Sequence, residues 1–410
     1  MKPVSLNFLI ACLCLAGFGH QAYTQGQDAP RKTLLVHYMP WYASKPVSGQ
    51  WGWHWTMNHF NPDKVNADGQ RELAAHDPPL IGPYDSSDPD ALECHVLLMK
   101  LAGIDGVIID WYGIKDFRDY ARIHRNSRQL VSHIRKAGLR FAVCYEDRSI
   151  SNMVNDGVLK KSREISQAGK IMQWLEKNWF DDHTYLQINE RPVLLVFGPL
   201  HFKKPDWTRI TSDLSSRPML HALPHLSGPS GFDGAFGWPP VHGGKEIIPT
   251  VWRQYLHDLY ARGKSGESII ATAFPGFHDI YKEALLHDSY GYLDAQDGRT
   301  LRETLDLAWK SNSSLVQIAT WNDFGEGTMV EPTTNLGYQY LETIQAHMKK
   351  HHGKAFLFKR EDLRLPIRLY QLRKQGSGDK KTKAHLDRVS SLLFSSKCDE
   401  AGTLLIKGEI

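Results

Sequence analysis

Eight short apolar runs, most of them separated by amphipathic helical stretches, constrain the fold more than any other feature of this sequence. They span residues 34–41, 106–111, 140–146, 192–198, 219–226, 231–238, 269–275 and 315–321. A parallel strand that is buried on both faces has this continuous apolar character. Eight such strands alternating with helices predict an α/β protein, a (β/α)8 barrel. A doubly wound sheet is less favoured because neither a G-x-G-x-x-G nor a Walker sequence follows any run.

The helical stretches between the runs have recognisable ends. Residues 89–102 follow Asp88 as N-cap and stop at Gly103, residues 120–137 stop at Gly138, and residues 301–310 form a third helix. The connection between the fifth and sixth runs, residues 227–230, is too short for a crossover helix. Either one of these two strands is misassigned or the barrel is irregular there.

The chain divides by composition into three parts. Residues 1–24 have the Lys2 start, apolar centre and polar end of a secretory signal peptide. Residues 25–358 make the barrel, and residues 359–410 form a short C-terminal helical appendage. The protein is therefore expected to be secreted or periplasmic. A lipid anchor at the cell surface through Cys12 is an alternative, because the preceding residues resemble a lipoprotein signal.

Cysteine content limits the number of disulfides, and the distribution of charge limits the class of partner. Without the leader, three cysteines remain, Cys94, Cys144 and Cys398, which allow at most one disulfide and favour buried free thiols. The formal net charge is +4, and Lys2 with the last fifty residues supplies the whole surplus. The near-neutral body argues against a nucleic-acid partner, and no transmembrane segment is expected.

Polar and aromatic residues follow the predicted strands, where a parallel barrel places its active site. The candidates for substrate binding are Tyr42, His54, Trp111, Tyr112, Tyr145, Glu146, Trp238 and Asn322. Aromatic rings on loops are surfaces on which sugar rings stack, and the chain has 12 Trp. Asp110 ends a strand and is expected either to orient a catalytic group or to pair with a loop amide. Arg148 is the expected salt-bridge partner of Glu146.

The eighth run leads into TWNDFGEGTMVEP, which places Asp323 and Glu326 three residues apart on a turn containing glycine. Hydrolysis of a glycosidic bond uses two carboxyl groups in different environments, one protonated and one ionised. Asp323 and Glu326 are therefore the candidate catalytic pair. The alternative is a loop in which the Asp caps a turn and the Glu faces water.

A set of motifs resembles glycoside hydrolase families 99 and 71. The motifs are HYMPWY, HW, IGPYDSSDP, AGIDGVIIDWYG, YLQINERPVLLVFGP and WNDFGEGTMVEP, in consistent order from about residue 34 to 347. The resemblance implies a (β/α)8 barrel that cleaves internal linkages of an α-linked polysaccharide or glycan, mannan-type in family 99 and α-1,3-glucan in family 71. Tyr42, His54 and Trp111 fall where it places sugar contacts.

The resemblance also implies roles for the carboxylates. Asp323 matches the family 99 base that acts on the sugar 2-hydroxyl, and Glu326 matches the acid that later activates water. Family 99 usually has NEWHEG where this chain has NDFGEG, and family 71 has a sequence closer to NDYGES. An α-1,3-glucanase or another glycan specificity therefore stays open, as does a surface glycan-binding protein without turnover.

No cofactor or metal is expected. His278 and Asp279 adjoin each other after the seventh run, but no third ligand lies at useful spacing in the sequence. The expected partner is an oligo- or polysaccharide. The sequence gives no indication of an oligomeric state.

Overall fold

The computed structural model describes residues 31–376 and 379–407. The predicted signal peptide and Cys12 lie outside these residues. The described residues from Lys32 onward form one compact unit. No helix in the described ranges is long and apolar enough to cross a bilayer.

Eight parallel strands close into a barrel. They are β1 (Thr33–Tyr38), β2 (Gly106–Trp111), β3 (Arg140–Tyr145), β4 (Arg191–Val196), β5 (Met219–Ala222), β6 (Gly234–Phe236), β7 (Ser268–Ala273) and β8 (Leu315–Ile318). Each strand pairs in parallel with its neighbours in chain order, and β8 pairs with β1 to close the sheet. The predicted (β/α)8 barrel is thus confirmed.

Helices follow the strands and surround the barrel. The crossover helices are Pro89–Ala102, Tyr120–Ala137, Arg148–Asn155 with Glu164–Leu175, Lys204–Ile210, Pro224–Ser230, Pro249–Lys264 and Arg299–Lys310, and Gln339–His352 follows β8. Asp88 accepts a hydrogen bond from the backbone N–H of Asp90, as an N-cap does. The helices predicted at 89–102 and 120–137 have the expected bounds, and the third begins two residues early.

The structure shows how the chain connects β5 to β6, where the sequence left open a misassigned strand or an irregular barrel. Both predicted strands exist, but β5 ends at Ala222, and the second half of the apolar run forms the seven-residue helix Pro224–Ser230. Pro224 occupies its first turn and Gly231 ends it in the left-handed conformation (φ 65°). The sequence pattern predicts a strand for the whole run because apolar content alone does not separate a short buried helix from a strand.

The two faces of the strands have different neighbours. Alternate residues such as Leu35, Ile108 and Cys144 belong to an apolar cluster that fills the barrel. Residues between them, such as Val36 and Ile109, pack against the surrounding helices. This period-two alternation decides which strand-end side chains can reach the mouth of the barrel. Cys94, Cys144 and Cys398 are buried free thiols, as predicted.

Three helices follow the barrel, Leu365–Gln375, Lys380–Phe394 and Cys398–Lys407. Arg373 on the first donates from Nε to Glu93 on the first crossover helix at 2.8 Å, and from Nη1 to Asp387 at 3.0 Å. Ser390 also donates to Glu93. Glu93 and Arg373 are both largely buried, and their direct contact compensates much of the charge of each.

We expect Arg373→Met to lower the free energy of unfolding by about 3 kcal/mol, because it removes the cation that bonds directly to the buried Glu93 carboxylate and leaves the exposed Lys136 ammonium 3.8 Å away. Lys383→Met is the matched control. Lys383 forms an exposed ion pair with Asp387, so its loss should change stability by less than about 0.5 kcal/mol. Urea denaturation of both variants makes the comparison, and equal effects would contradict the structural role of the Glu93–Arg373 pair.

Candidate active site

A cavity of about 660 Å³ opens at the carboxyl ends of the barrel strands. Its walls come from the segments that follow β1, β2, β3, β4, β6, β7 and β8. Seven of the predicted site residues line it, namely Tyr42, His54, Tyr112, Glu146, Trp238, Asp323 and Glu326. This volume and this position are those of a small-molecule or glycan site in a barrel enzyme.

The turn after β8 carries Asp323 and Glu326. Its backbone is fixed by Thr320, whose hydroxyl accepts from the N–H of Asp323 at 2.8 Å. Gly327 is left-handed (φ 64°), and a Cβ there would lie 2.5 Å from the carbonyl oxygen of His278. Only glycine fits this close approach, which lets the N–H of His278 donate to the carbonyl of Glu326 at 2.9 Å. The glycine of the motif thus holds the turn against the loop after β7.

Asn322 anchors the same turn to β1. Its Oδ1 accepts from the N–H of Met39 at 2.8 Å, and its Nδ2 donates to the Met39 carbonyl at 3.0 Å and to the Tyr84 hydroxyl at 2.9 Å. The Tyr42 hydroxyl donates to the Asn322 carbonyl at 2.8 Å and accepts from the N–H of Phe324 at 3.2 Å. Asn322 is fully buried and does not line the cavity, so it positions the turn rather than contacting substrate.

The two carboxyl groups of the turn lie in different environments. Asp323 Oδ1 accepts from the backbone N–H of Glu326 at 3.0 Å. Burial raises the pKa of Asp323 to about 6, and the N–H groups of Glu326 and Gly325 oppose this rise. Burial and the neighbouring Asp323 raise the pKa of Glu326 well above its usual range, opposed by the indole N–H of Trp238, which donates to Oε2 at 3.3 Å. Asp323 therefore ionises first and Glu326 retains its proton.

A second carboxyl pair, Asp110 and Glu146, faces the same cavity. Burial raises the pKa of Asp110 well above its usual range, and the charge of Glu146 adds to this. Burial raises the pKa of Glu146 to about 7, whereas the charge of Arg148 lowers it. Arg148 also lines the cavity, but its guanidinium is more than 4.0 Å from both carboxylates, so the expected salt bridge with Glu146 does not form.

Aromatic rings form much of the remaining wall. His54 stacks on Trp41 with ring centroids 4.1 Å apart, and its Nε2 lies 3.7 Å from Asp119 Oδ2. Burial lowers the pKa of His54, and Asp119 opposes this. Trp53 also lines the cavity and is the exposed aromatic of the loop. These rings offer flat apolar faces beside hydrogen-bonding groups, a combination suited to sugar rings.

Trp111 and Tyr145, like Asn322, do not line the cavity, although they were predicted to contact substrate. Trp111 and Tyr145 are fully buried and face the helices. Trp111 donates from Nε1 to His124 at 3.2 Å, and the Tyr145 hydroxyl accepts from Ser149 at 3.3 Å. Because side chains alternate along a strand, it is their neighbours Asp110 and Glu146 that face the cavity.

The cavity also contains residues that the sequence pattern left open or did not reveal. His37, Tyr281 and Asp119 line it, although none was predicted, and so does Asp110. For His37 and Asp110 a signal was available, because each is in phase with an inward apolar residue, Leu35 and Ile108 respectively. Tyr281 and Asp119 lie on loops, where no such periodicity exists.

His278 and Asp279 do not form a metal site together. His278 stacks on His76 at 3.8 Å between centroids, whereas Asp279 is buried and accepts from the N–H of Tyr290 at 2.8 Å. In the described ranges, there are two sets of three side chains whose potential metal-ligand atoms all lie within 4.8 Å of one another. They are His37 with Asp110 and Cys144, and Asp306 with His347 and His351.

Comparison with known proteins gives distant but extended matches. No family model matches the chain. A glycoprotein endo-alpha-1,2-mannosidase-like protein of Danio rerio is 21% identical over 349 residues, covering 78% of this chain and 75% of the relative. The uncharacterized protein WxcX of Xanthomonas campestris is 20% identical over 372 residues, covering 80% of this chain. The match spans about half of that relative, 52%.

Solved structures show the same fold. The GH99 endo-alpha-mannosidase of Bacteroides thetaiotaomicron superposes with a TM-score of 0.60 at 16% identity, over 78% of this chain and 97% of that one. Fold and cavity thus define a (β/α)8 barrel with a carboxylate pair, Asp323 and Glu326, at the carboxyl ends of its strands. Together with the sequence matches, they confirm the resemblance to glycoside hydrolase family 99 that the motifs indicate.

We expect Glu326→Gln to raise the melting temperature at pH 8 and to change it little at pH 4. The pKa of Glu326 is raised on folding, so its contribution to stability is complete at low pH and is lost as the pH rises through the folded-state value. The neutral amide avoids burying that charge. Thermal unfolding at both pH values measures the difference. The exposed Glu246→Gln is the control, and an equal shift in both variants would contradict burial of the Glu326 carboxylate as the cause.

Proposed function

We propose that the protein is a glycoside hydrolase acting on an α-linked oligo- or polysaccharide, with Glu326 as proton donor and Asp323 as base. The observation that carries this proposal is the unequal environment of the two carboxyl groups. Asp323 accepts backbone N–H bonds that favour its ionised form, and the partly buried Glu326 lies beside it. Two carboxyl groups with separated pKa values supply an acid and a base at one pH.

The family 99 resemblance supplies the sequence of steps. Asp323 takes the proton of the sugar 2-hydroxyl, whose oxygen attacks the anomeric carbon while Glu326 gives its proton to the leaving oxygen. Glu326, now a carboxylate, takes a proton from the water that opens the resulting 1,2-anhydro sugar, and Asp323 returns its proton to the 2-oxygen. The Trp238 indole N–H bonds to Glu326 and stabilises that carboxylate.

Substrate binding is assigned to the walls of the cavity. Asp110 and Glu146 lie on β2 and directly after β3, line the same cavity as the carboxylate turn, and can exchange hydrogen bonds with sugar hydroxyl groups. Their raised pKa values mean that each can donate as well as accept near neutral pH. The stacked Trp41 and His54 and the Tyr112 ring provide the apolar faces.

We favour internal linkages of a mannan-type glycan as the substrate. Support comes from the names of the matched relatives, which include glycoprotein endo-alpha-1,2-mannosidase-like proteins of Mus musculus and Danio rerio. One difference favours a distinct glycan specificity as a second candidate. Gly325 lines the cavity where family 99 usually carries His, and the methyl group of Met57 lies over it, so this wall offers an apolar group instead of an imidazole. A panel of α-mannans, high-mannose glycans and α-1,3-glucan, with product analysis, distinguishes the two.

A glycan-binding protein without turnover is the alternative from another class. A binding site has no need to bury two carboxyl groups side by side, which destabilises the fold when both ionise. Release of new reducing ends from any substrate of the panel supports the hydrolase. Saturable binding to a glycan with no release, under conditions where the protein is folded, supports the binding protein.

We expect Asp323→Asn and Glu326→Gln each to lower kcat at least about 100-fold on a natural glycan, because each residue transfers a proton in both steps of the mechanism. The two variants should differ on an aryl glycoside with a good leaving group. Such a group leaves without protonation, so Glu326→Gln should recover in the first step whereas Asp323→Asn should not. Steady-state and burst kinetics on both substrates measure this.

The control for these variants is Glu246→Gln, which changes an exposed carboxyl group far along the chain. Because Glu246 does not line the cavity, this variant should retain full activity. Unchanged turnover in either cavity variant would remove that residue from the mechanism, and identical recovery of both on the aryl glycoside would contradict the separate roles.

The mechanism also predicts retention of anomeric configuration. Attack by the 2-oxygen and then by water inverts the anomeric carbon twice, so an α-linked substrate should first release an α-anomer. Proton NMR of the earliest product, recorded before mutarotation, determines this. An initial β-anomer would show inversion and would support a family 71-like route.

A further inference from the structure

Three side chains of different chemistry lie close together inside the barrel, at the bottom of the cavity. His37 on β1, Asp110 on β2 and Cys144 on β3 come from three adjacent strands, and Asp110 is the register partner of Cys144. Each is in phase with the inward side chains of its strand, and each is buried. One ligand atom from each residue lies within 4.8 Å of the other two. Their separation in sequence hides this group from any search for short motifs.

Two polar atoms of this group lack a hydrogen bond of normal geometry. They are His37 Nδ1 and Asp110 Oδ2, which are buried, and the polar side chains of Gln317 and Tyr112 lie near them. Buried polar atoms without partners are uncommon because each loses its bonds to water on folding. Three ligand atoms 4.8 Å apart at most surround a centre about 2.8 Å or less from each, close to the 2.0–2.3 Å of zinc–ligand bonds. A small inward movement of the side chains would complete the coordination.

We propose that His37, Asp110 and Cys144 form a binding site for a zinc-class divalent transition-metal ion. The ligand set selects such an ion, since imidazole and thiolate suit zinc and disfavour the harder magnesium and calcium. A zinc ion deprotonates a coordinating thiol outright. Zinc with one thiolate, one carboxylate and one neutral imidazole is uncharged overall, so its burial avoids the penalty of an isolated ion.

The site has access and outer-shell support. His37 and Asp110 line the cavity, so an ion can enter from solvent and its fourth position faces the cavity. Gln317 donates from Nε2 to the Gly237 carbonyl at 2.7 Å, which holds its oxygen in the barrel near His37. An oxygen in that place can orient a ligating histidine. None of this depends on hydrolase activity, and the mechanism proposed above requires no metal. An ion bound here would hold Asp110 as a carboxylate and take it from the sugar contacts assigned to it above.

The test uses cobalt(II) as a spectroscopic substitute for zinc in the reduced, chelator-treated full chain. A cysteine ligand gives a thiolate-to-cobalt charge-transfer band in the near ultraviolet, whereas histidine and carboxylate ligands do not. We expect one equivalent of cobalt to produce the band and zinc to abolish it by displacement. Asp110→Asn should weaken cobalt binding at least about tenfold. Absence of the band at saturating cobalt would overturn the proposal.

Two kinds of variant identify the cysteine. Cys144→Ala should abolish the band, with folding checked by circular dichroism. The complementary variant changes Cys12, Cys14, Cys94 and Cys398 to Ser and retains Cys144, and it should keep the band. This second variant gives a positive result even where Cys144→Ala does not fold. A band that survives Cys144→Ala, or that is lost in a folded Cys144-only chain, would contradict the assignment.

The second three-ligand group provides an internal control. His347 and His351 lie one turn apart on helix Gln339–His352, beside Asp306 on the preceding helix. Cobalt bound there has no thiolate ligand and gives no charge-transfer band. His351→Ala should therefore leave the band unchanged, and a band that depended on His351 would place the observed site at the surface instead of the barrel floor.

Discussion

The side-chain amide of Asn322 makes the hydrogen bonds on which the position of the carboxylate turn depends. It joins the turn after β8 to the backbone of Met39 after β1 and to the Tyr84 hydroxyl. Tyr84 in turn donates to Glu331 at 2.9 Å. His95 and Tyr38 continue the network, since His95 Nε2 lies 3.1 Å from Glu331 Oε1 and its Nδ1 lies 2.9 Å from the Tyr38 hydroxyl. A buried network in which each member has its partners holds a turn more rigidly than packing alone.

This network also explains why the motifs of the sequence occur together. HYMPWY supplies Tyr42, the HW pair supplies Trp55, PYDSSDP supplies Tyr84, and WNDFGEGTMVEP supplies Asn322 and Glu331. Trp55 donates from Nε1 to the Tyr84 carbonyl at 2.9 Å. Segments nearly three hundred residues apart therefore share one buried set of polar groups around the cavity. Most of these residues support the carboxylate pair and do not face the cavity themselves.

The sequence predicts the barrel well because its strands are buried on both faces and therefore apolar throughout. It does not reveal the helix Pro224–Ser230 for the same reason, since the apolar residues of that helix extend the run of β5. In the site, Asp323 and Glu326 are recognisable because they are close in sequence. Residue type favours Trp111 over Asp110 as a sugar contact, although alternation along β2 assigns the inward position to Asp110. Contacts between strands, such as that of Asp110 with Cys144, depend on register, which composition does not reveal.

The first crossover helix, Pro89–Ala102, has a consequence for where this protein can be divided. Glu93 on one of its faces bonds to Arg373 and Ser390 of the C-terminal helices, and His95 on another face bonds to Glu331 beneath the carboxylate turn. One rigid element therefore touches both the appendage and the support of the site. A truncated chain ending near residue 358 would expose Glu93 two residues from His95. The smallest useful fragment for engineering or fusion is thus the barrel together with its terminal helices. The amino-acid composition changes at residue 359, but no domain boundary lies there.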